Sequence, residues 1–101
     1  MTLTKDQQRN LKAQAHHLTP LTQIGKNGLT PEQITTIKNH LENHELIKIR
    51  FNDYKKQKQE LATQITQQTQ AEQIDLIGNT LIIYKQSTDP AKRKINPTTS
   101  K

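Results

Sequence analysis

Apolar positions along the chain fall into three helical patterns and four short extended ones. Thr4, with Gln7 three residues on, has the pattern of a capping box, and Leu11, Ala15 and Leu18 follow at helical spacing, predicting a first helix over about residues 4–17. Pro20 stops it, and residues 21–24 are a short strand candidate that runs into Gly25-Lys26-Asn27-Gly28. The second helix carries the strongest start signals. Thr30 can cap, Pro31 suits the first helical position, Gln33 completes a capping box, and Leu29 can staple against Ile34. Ile34, Ile37 and Leu41 form its buried face, with an end near Asn43.

Residues 46–52 alternate instead. Ile47, Ile49 and Phe51 share one side, and Lys48 and Arg50 the other, which predicts a half-buried strand with a basic outer face. Asp53 can cap a third helix over about 54–69, with Leu61, Ala62 and Ile65 turned inward and the glutamines outward. Residues 74–77 and 80–85 read as strands joined by Gly78-Asn79, a loop suited to a type II′ turn. The order is αβαβαββ. Strands separated by single helices should run parallel through right-handed crossovers and the last should return antiparallel, so the expected fold is α/β, a four-stranded mixed sheet packed by helices.

Composition sets the size of that core. In 101 residues there are 22 Leu, Ile and Phe and no Val, enough for one thin-cored domain. Residues 1–85 are expected to form it. Residues 86–101 are polar and basic with one isoleucine and are expected to be a mobile tail. Cysteine is absent, which excludes disulfides and thiolate metal sites and suits the cytoplasm. The short apolar runs provide neither a membrane span nor a signal peptide.

Charge then narrows the partners. The formal net charge is +6, which attracts polyanions before any specific contact forms. Only Phe51, Tyr54 and Tyr84 are aromatic, too few for platforms that stack single-stranded bases, so any bound RNA should be held through its backbone. Gly25-Lys26-Asn27-Gly28, between a strand and a capped helix, could converge backbone N–H groups on a phosphate; the same glycines also suit an ordinary tight turn. Lys48 and Arg50 share a strand face. Lys55, Lys56 and Lys58 crowd the start of the third helix, where positive charge opposes the helix dipole unless an anion is bound. A solvated charged turn would look the same in sequence.

Catalytic and metal chemistry have weaker support. His40 and His44 are one helical turn apart without a third ligand, so no metal site or cofactor is expected. Glu42 and Glu45, read as exposed carboxylates, have no pocket in which to act as an acid and base pair, and no nucleophile triad is evident. A non-enzymatic binding module is expected, with a protein-interaction adaptor as the rival to a nucleic-acid partner.

Taken in order, Leu11-Lys12, Ala15-His16, Leu18 and Pro20, then Ile24-Gly25, Gly28-Leu29-Thr30, His44-Glu45-Leu46-Ile47-Lys48, Ile77-Gly78, Leu81 and Tyr84 resemble the YhbY family. This is the bacterial single-domain form of the CRM (chloroplast RNA splicing and ribosome maturation) domain, and the resemblance covers roughly residues 3–85. It implies an RNA-binding αβαβαββ fold similar to the C-terminal domain of a bacterial translation initiation factor. It also implies association with precursors of the large ribosomal subunit; the protein itself is expected to be cytoplasmic and monomeric. RNA contact is thereby assigned to Gly25, Lys26, Asn27 and Gly28, with Lys12 and Lys48 as candidates. Arg50, Lys55, Lys56 and Lys58 are added from strand and helix geometry. Ala13, Thr19 and Lys85 depart from residues frequent in that family, Gly, Lys and Arg respectively, which removes part of its basic surface near the first helix.

Overall fold

The computed structural model describes residues 3–93 and 95. Its elements are α1 (Lys5–Ala15), β1 (Thr22–Ile24), α2 (Pro31–His44), β2 (Leu46–Phe51), α3 (Lys58–Thr69), β3 (Glu72–Ile77) and β4 (Thr80–Tyr84), with 3-10 turns at Lys55–Gln57 and Pro90–Lys92. The strands form one mixed sheet in the order β1-β2-β4-β3. β1 lies parallel to β2, with Thr22 opposite Ile49 and Ile24 opposite Phe51. β4 is antiparallel to both β2 and β3, so β1, β2 and β3 all point the same way. The expected αβαβαββ order and the mixed, four-stranded sheet are the ones found.

Strand alternation divides the core between two faces. Ile24, Ile47, Ile49, Phe51, Leu81 and Ile83 pack with Ile37 and Leu41 of α2 and with Ala62 and Ile65 of α3. Leu46, Ile82 and Tyr84 turn to the opposite face, where Leu11 and Ala15 of α1 cover them together with Leu3. The sheet is thus sandwiched between α1 and the α2–α3 pair. Each fully buried Leu or Ile contributes about 1.5–3 kcal/mol of hydrophobic stabilisation before entropy is set against it. No helix among the described residues is long and apolar enough to cross a membrane.

Caps explain most boundaries. At α1 the capping box forms in full: Gln7 N donates to Thr4 Oγ1 (3.1 Å) and Thr4 N to Gln7 Oε1 (2.9 Å). That helix ends two residues earlier than expected, because Leu18 N turns back to Ala15 O (3.0 Å) ahead of Pro20. At α2, Thr30 accepts from Gln33 N (3.2 Å), but the box is not completed. Gln33 Nε2 instead reaches the Gln23 carbonyl of β1 (3.0 Å), tying helix to strand. The hairpin follows expectation: Gly78 has φ 56° while Asn79 does not enter the positive-φ region, as a type II′ turn requires. β3 begins at Glu72, two residues before the expected start, and a register shift between Gln73 and Asp75 interrupts its pairing.

Two expectations need correction. Asp53 does not cap the third helix. Its carboxylate accepts from Tyr54 N (2.9 Å), Tyr54 takes a left-handed conformation (φ 55°, ψ 37°), a 3-10 turn follows, and α3 starts only at Lys58. Nor are Glu42 and Glu45 free carboxylates. Glu45 is fully buried and has φ 65°, and its two oxygens accept from Ser87 N (2.9 Å) and Ile95 N (3.0 Å). Glu42 Oε1 accepts from the Ser87 hydroxyl, from Thr88 N and Oγ1 (both 2.8 Å) and from Asp89 N (3.3 Å).

These bonds bear on the segment expected to be a mobile tail. Ser87 is buried, Arg93 Nε donates to the Ser87 carbonyl (2.9 Å), and Ile95 packs against the α1-side core. Residues 87–93 and 95 therefore carry defined contacts with the domain, supplied mostly by main-chain N–H groups and hydroxyls meeting two carboxylates, with Ile95 the apolar contribution. The rest of that tail, residues 94 and 96–101, lies outside the described residues.

The Glu42 carboxyl is lowered from 4.5 to about 2, first by the Ser87 hydroxyl and then by that of Thr88. A depressed folded-state pKa means the stabilisation is whole above pH 4.5 and is lost as pH falls toward 2. Urea unfolding of wild type and Glu42→Gln should show wild type more stable at neutral pH, with the gap closing over that interval. A gap that stays constant down to pH 2 would contradict the assignment.

Candidate functional site

Because β1, β2 and β3 are codirectional, the segments leaving their C-terminal ends open from one edge of the sheet. They are the Gly25–Gly28 loop, residues 52–57 and the Gly78-Asn79 turn. Sheet crossovers commonly place binding surfaces at this edge. In the loop, Gly28 N donates to Gly25 O (3.0 Å), closing a turn with Lys26 and Asn27 exposed at its tip. Gly28 has φ 67°, a conformation that favours glycine. The 14-residue α2 begins just beyond it, with its partial positive end toward the loop.

The 52–57 segment is fastened to that loop. Asn52 N and Asp53 N both donate to the Ile24 carbonyl (2.9 and 3.2 Å), and Asn52 Nδ2 donates to Gln23 Oε1. Tyr54 Oη donates to the Lys26 carbonyl (2.8 Å). Phe51 N bonds Asn79 O (2.7 Å), drawing in the hairpin turn. Lys55 and Lys56 are exposed on the 3-10 turn immediately after Tyr54, while Lys58, half-buried, donates its ammonium to the Gly78 carbonyl. Arg50 is exposed near the end of β2, with Nε on Asn52 Oδ1 (3.3 Å).

Lys12 and Lys48 are placed differently. Both line a cleft of about 210 Å³ on the α1 side of the sheet, with His16, Ile77, Thr80 and Ile82. Lys12 Nζ pairs with Asp75 (2.9 Å) and holds that carboxyl below its usual range, an interaction that joins α1 to β3. Lys48 Nζ donates to the Leu18 carbonyl (3.0 Å) and ties β2 to the segment after α1. Each has a structural partner, so neither is as available to an anion as Lys26, Lys55 or Lys56.

The structure therefore brings Gly25, Lys26, Asn27, Gly28, Arg50, Lys55, Lys56 and Lys58 to one edge and leaves Lys12 and Lys48 on an adjoining face. Tyr54 and Asn52, which fasten the two loops, were not singled out by sequence reasoning. Their signal is topological: loops that follow neighbouring parallel strands must emerge side by side. Among the described residues, no group of three His, Asp or Glu side chains is arranged to hold a metal ion.

A sheet between one helix and a helix pair, with a glycine-bounded loop joining its edge strand to a capped helix, defines a small α/β domain built around an exposed basic edge. The chain belongs to the CRS1/YhbY (CRM) domain family, whose model matches residues 3–85. A Haemophilus influenzae protein named "RNA-binding protein" is 38% identical over 89 residues, 87% of this chain and 90% of that protein. The "Probable RNA-binding protein YqeI" of Bacillus subtilis is 36% identical over 88 residues, 86% of this chain and 92% of that one. The solution structure of SAV1595 from Staphylococcus aureus is similar at a TM-score of 0.76 and 35% identity, over 94% of this chain and all of that one.

Proposed function

We propose that this chain binds RNA through the edge formed by the Gly25–Gly28 loop and residues 50–58, and that its target is precursor large-subunit ribosomal RNA or the particles containing it. The observation that carries the reading is the fastening of the 52–57 segment to the glycine-bounded loop. It brings the loop that carries Lys26 alongside the turn that carries Lys55 and Lys56, and all three lysines are exposed. The names of the Haemophilus and Bacillus relatives support RNA as the polyanion.

Mechanistically, the loop approaches the sugar-phosphate backbone closely at Gly25, where an added Cβ would meet nothing within 4 Å, while the corresponding space at Gly28 faces the Tyr54 ring. Lys26, Lys55 and Lys56 neutralise phosphates, and Arg50 extends the contact along the sheet end. The role is binding rather than turnover, carried out by a cytoplasmic monomer. It is consistent with this that Glu42 and Glu45, the two carboxylates considered as an acid and base pair, are committed to holding the C-terminal segment.

The test is competition at fixed salt. Transcribed large-subunit precursor RNA should retain the protein against heparin at matched charge. Equal displacement by heparin would favour a basic adaptor for acidic protein surfaces. Affinity should also fall steeply with salt. Roughly 4–6 phosphate contacts, each releasing about 0.7–0.9 counterions, give a log–log slope of about −3 to −5. A slope near zero would reject backbone-dominated binding.

A further inference from the structure

We propose that Tyr54 is the positioning residue of the loop: its hydroxyl selects the turn conformation that presents the Asn27 N–H to a phosphate. The inference rests on the loop being a phosphate contact, as proposed above. In a turn closed by Gly28 N on Gly25 O, the central peptide joins Lys26 to Asn27. That peptide has two common orientations. A type I turn keeps the residue after it at negative φ, whereas a type II turn flips the peptide and drives that residue to positive φ. Asn27 is not at positive φ, so the peptide lies in the type I sense.

What holds it there comes from outside the loop. Tyr54 Oη donates to the carbonyl of this same peptide, Lys26 O, at 2.8 Å. A flip would swing that carbonyl off the hydroxyl. Because a trans peptide points its C=O and N–H in opposite directions, a carbonyl fixed on Tyr54 sends the Asn27 N–H away from the ring. The ring is fixed in turn. It lies against Gly28, where an added Cβ would sit 3.5 Å from Tyr54 Cε2. Its own backbone is held left-handed, with Tyr54 N on Asp53 Oδ1 (2.9 Å) and Gln57 N on Tyr54 O (3.0 Å). An aromatic residue rarely adopts that conformation, and here it turns the side chain back across the neighbouring loop.

Tyr54→Phe keeps the ring and removes only the hydroxyl. The variant, Lys26→Glu, Tyr54→Leu and the double variant Lys26→Glu/Tyr54→Phe would be compared with wild type for binding to transcribed large-subunit ribosomal RNA. Melting curves and amide NMR spectra of the free proteins complete the set. Expected for Tyr54→Phe is a melting temperature within about 3 °C of wild type, since one exposed hydrogen bond is lost. Affinity should fall about three- to tenfold. The Asn27 amide should shift or broaden, a change that a merely structural role elsewhere in the domain would not produce. In the Lys26→Glu background the added loss should shrink, because both changes act through one loop.

Wild-type affinity in Tyr54→Phe, with Lys26→Glu impaired, would overturn the positioning role and leave the loop as the contact. Loss in Tyr54→Leu alone, with Tyr54→Phe unaffected, would overturn it in favour of direct contact between ring and RNA. Wild-type affinity in Lys26→Glu, or no binding by the wild-type chain, would overturn the loop reading and the Tyr54 role with it.

Discussion

Removing residues 86–101 should lower the melting temperature by about 10–20 °C, corresponding to about 2–4 kcal/mol in a domain of this size. The deletion takes away Ser87, Thr88 and Asp89, whose hydroxyl and main-chain donors converge on Glu42 Oε1. It also takes two donors from the fully buried Glu45 carboxylate, Ser87 N and Ile95 N. A hydrogen bond to a charged group typically contributes about 1.5–3 kcal/mol, and a buried carboxylate that loses its donors costs more than one in water. Ile95 is removed from the cluster of Leu46, Ile82 and Tyr84 as well. Against these losses stands the ordering entropy of the segment, which is why the net effect is smaller than the sum of the contacts. Thermal unfolding followed by circular dichroism checks it. A shift under about 3 °C would show that the segment contributes nothing to the fold.

That segment marks the boundary of what the sequence could reveal. Helices and strands with an apolar period were legible because burial at every third or fourth residue, or at every second, is a local pattern. Leu11 and Ala15, or Ile47, Ile49 and Phe51, declare their faces without reference to the rest of the chain. The capping residues Thr4 and Thr30 were legible for the same reason. Residues 87–93 have no apolar period. They are held by Glu42 and Glu45, more than forty positions away, and a main-chain N–H that meets a distant carboxylate leaves no trace in composition. Tyr54 escaped for a different reason. Counting aromatics excluded a stacking platform, but its left-handed backbone and its bond to Lys26 exist only once parallel β1 and β2 set the two loops side by side. Of the basic residues, the loop and the 55–58 cluster were recognised separately. Their union on one edge, and the commitment of Lys12 to Asp75 and of Lys48 to Leu18, are tertiary facts.

Reversing one charge at the loop tip should cost far more RNA affinity than the same reversal at the other end of the sheet. Lys26 is exposed on a loop anchored through backbone groups, so Lys26→Glu should change stability by no more than about 0.5 kcal/mol. In the complex it replaces a charge-assisted contact with repulsion, a loss of about tenfold at physiological salt. A control charge reversal has to spare Glu42, which holds residues 87–89. Lys92→Glu is the matched one: it makes the same change of charge on the exposed Pro90–Lys92 turn, in the segment anchored by Glu42 and Glu45 at the junction of α2 and β2. Phosphates at the opposite edge are largely screened from that position at physiological salt, so its effect should stay below about threefold.

The most direct measurement is therefore the affinity of wild type, Lys26→Glu and Lys92→Glu for transcribed large-subunit precursor RNA at one fixed salt concentration, with melting curves to establish that each is folded. A loop that clamps phosphate predicts that Lys26→Glu alone binds weakly. Folded Lys26→Glu that binds as tightly as wild type, or no more weakly than Lys92→Glu, would contradict it and reduce Gly25–Gly28 to a turn.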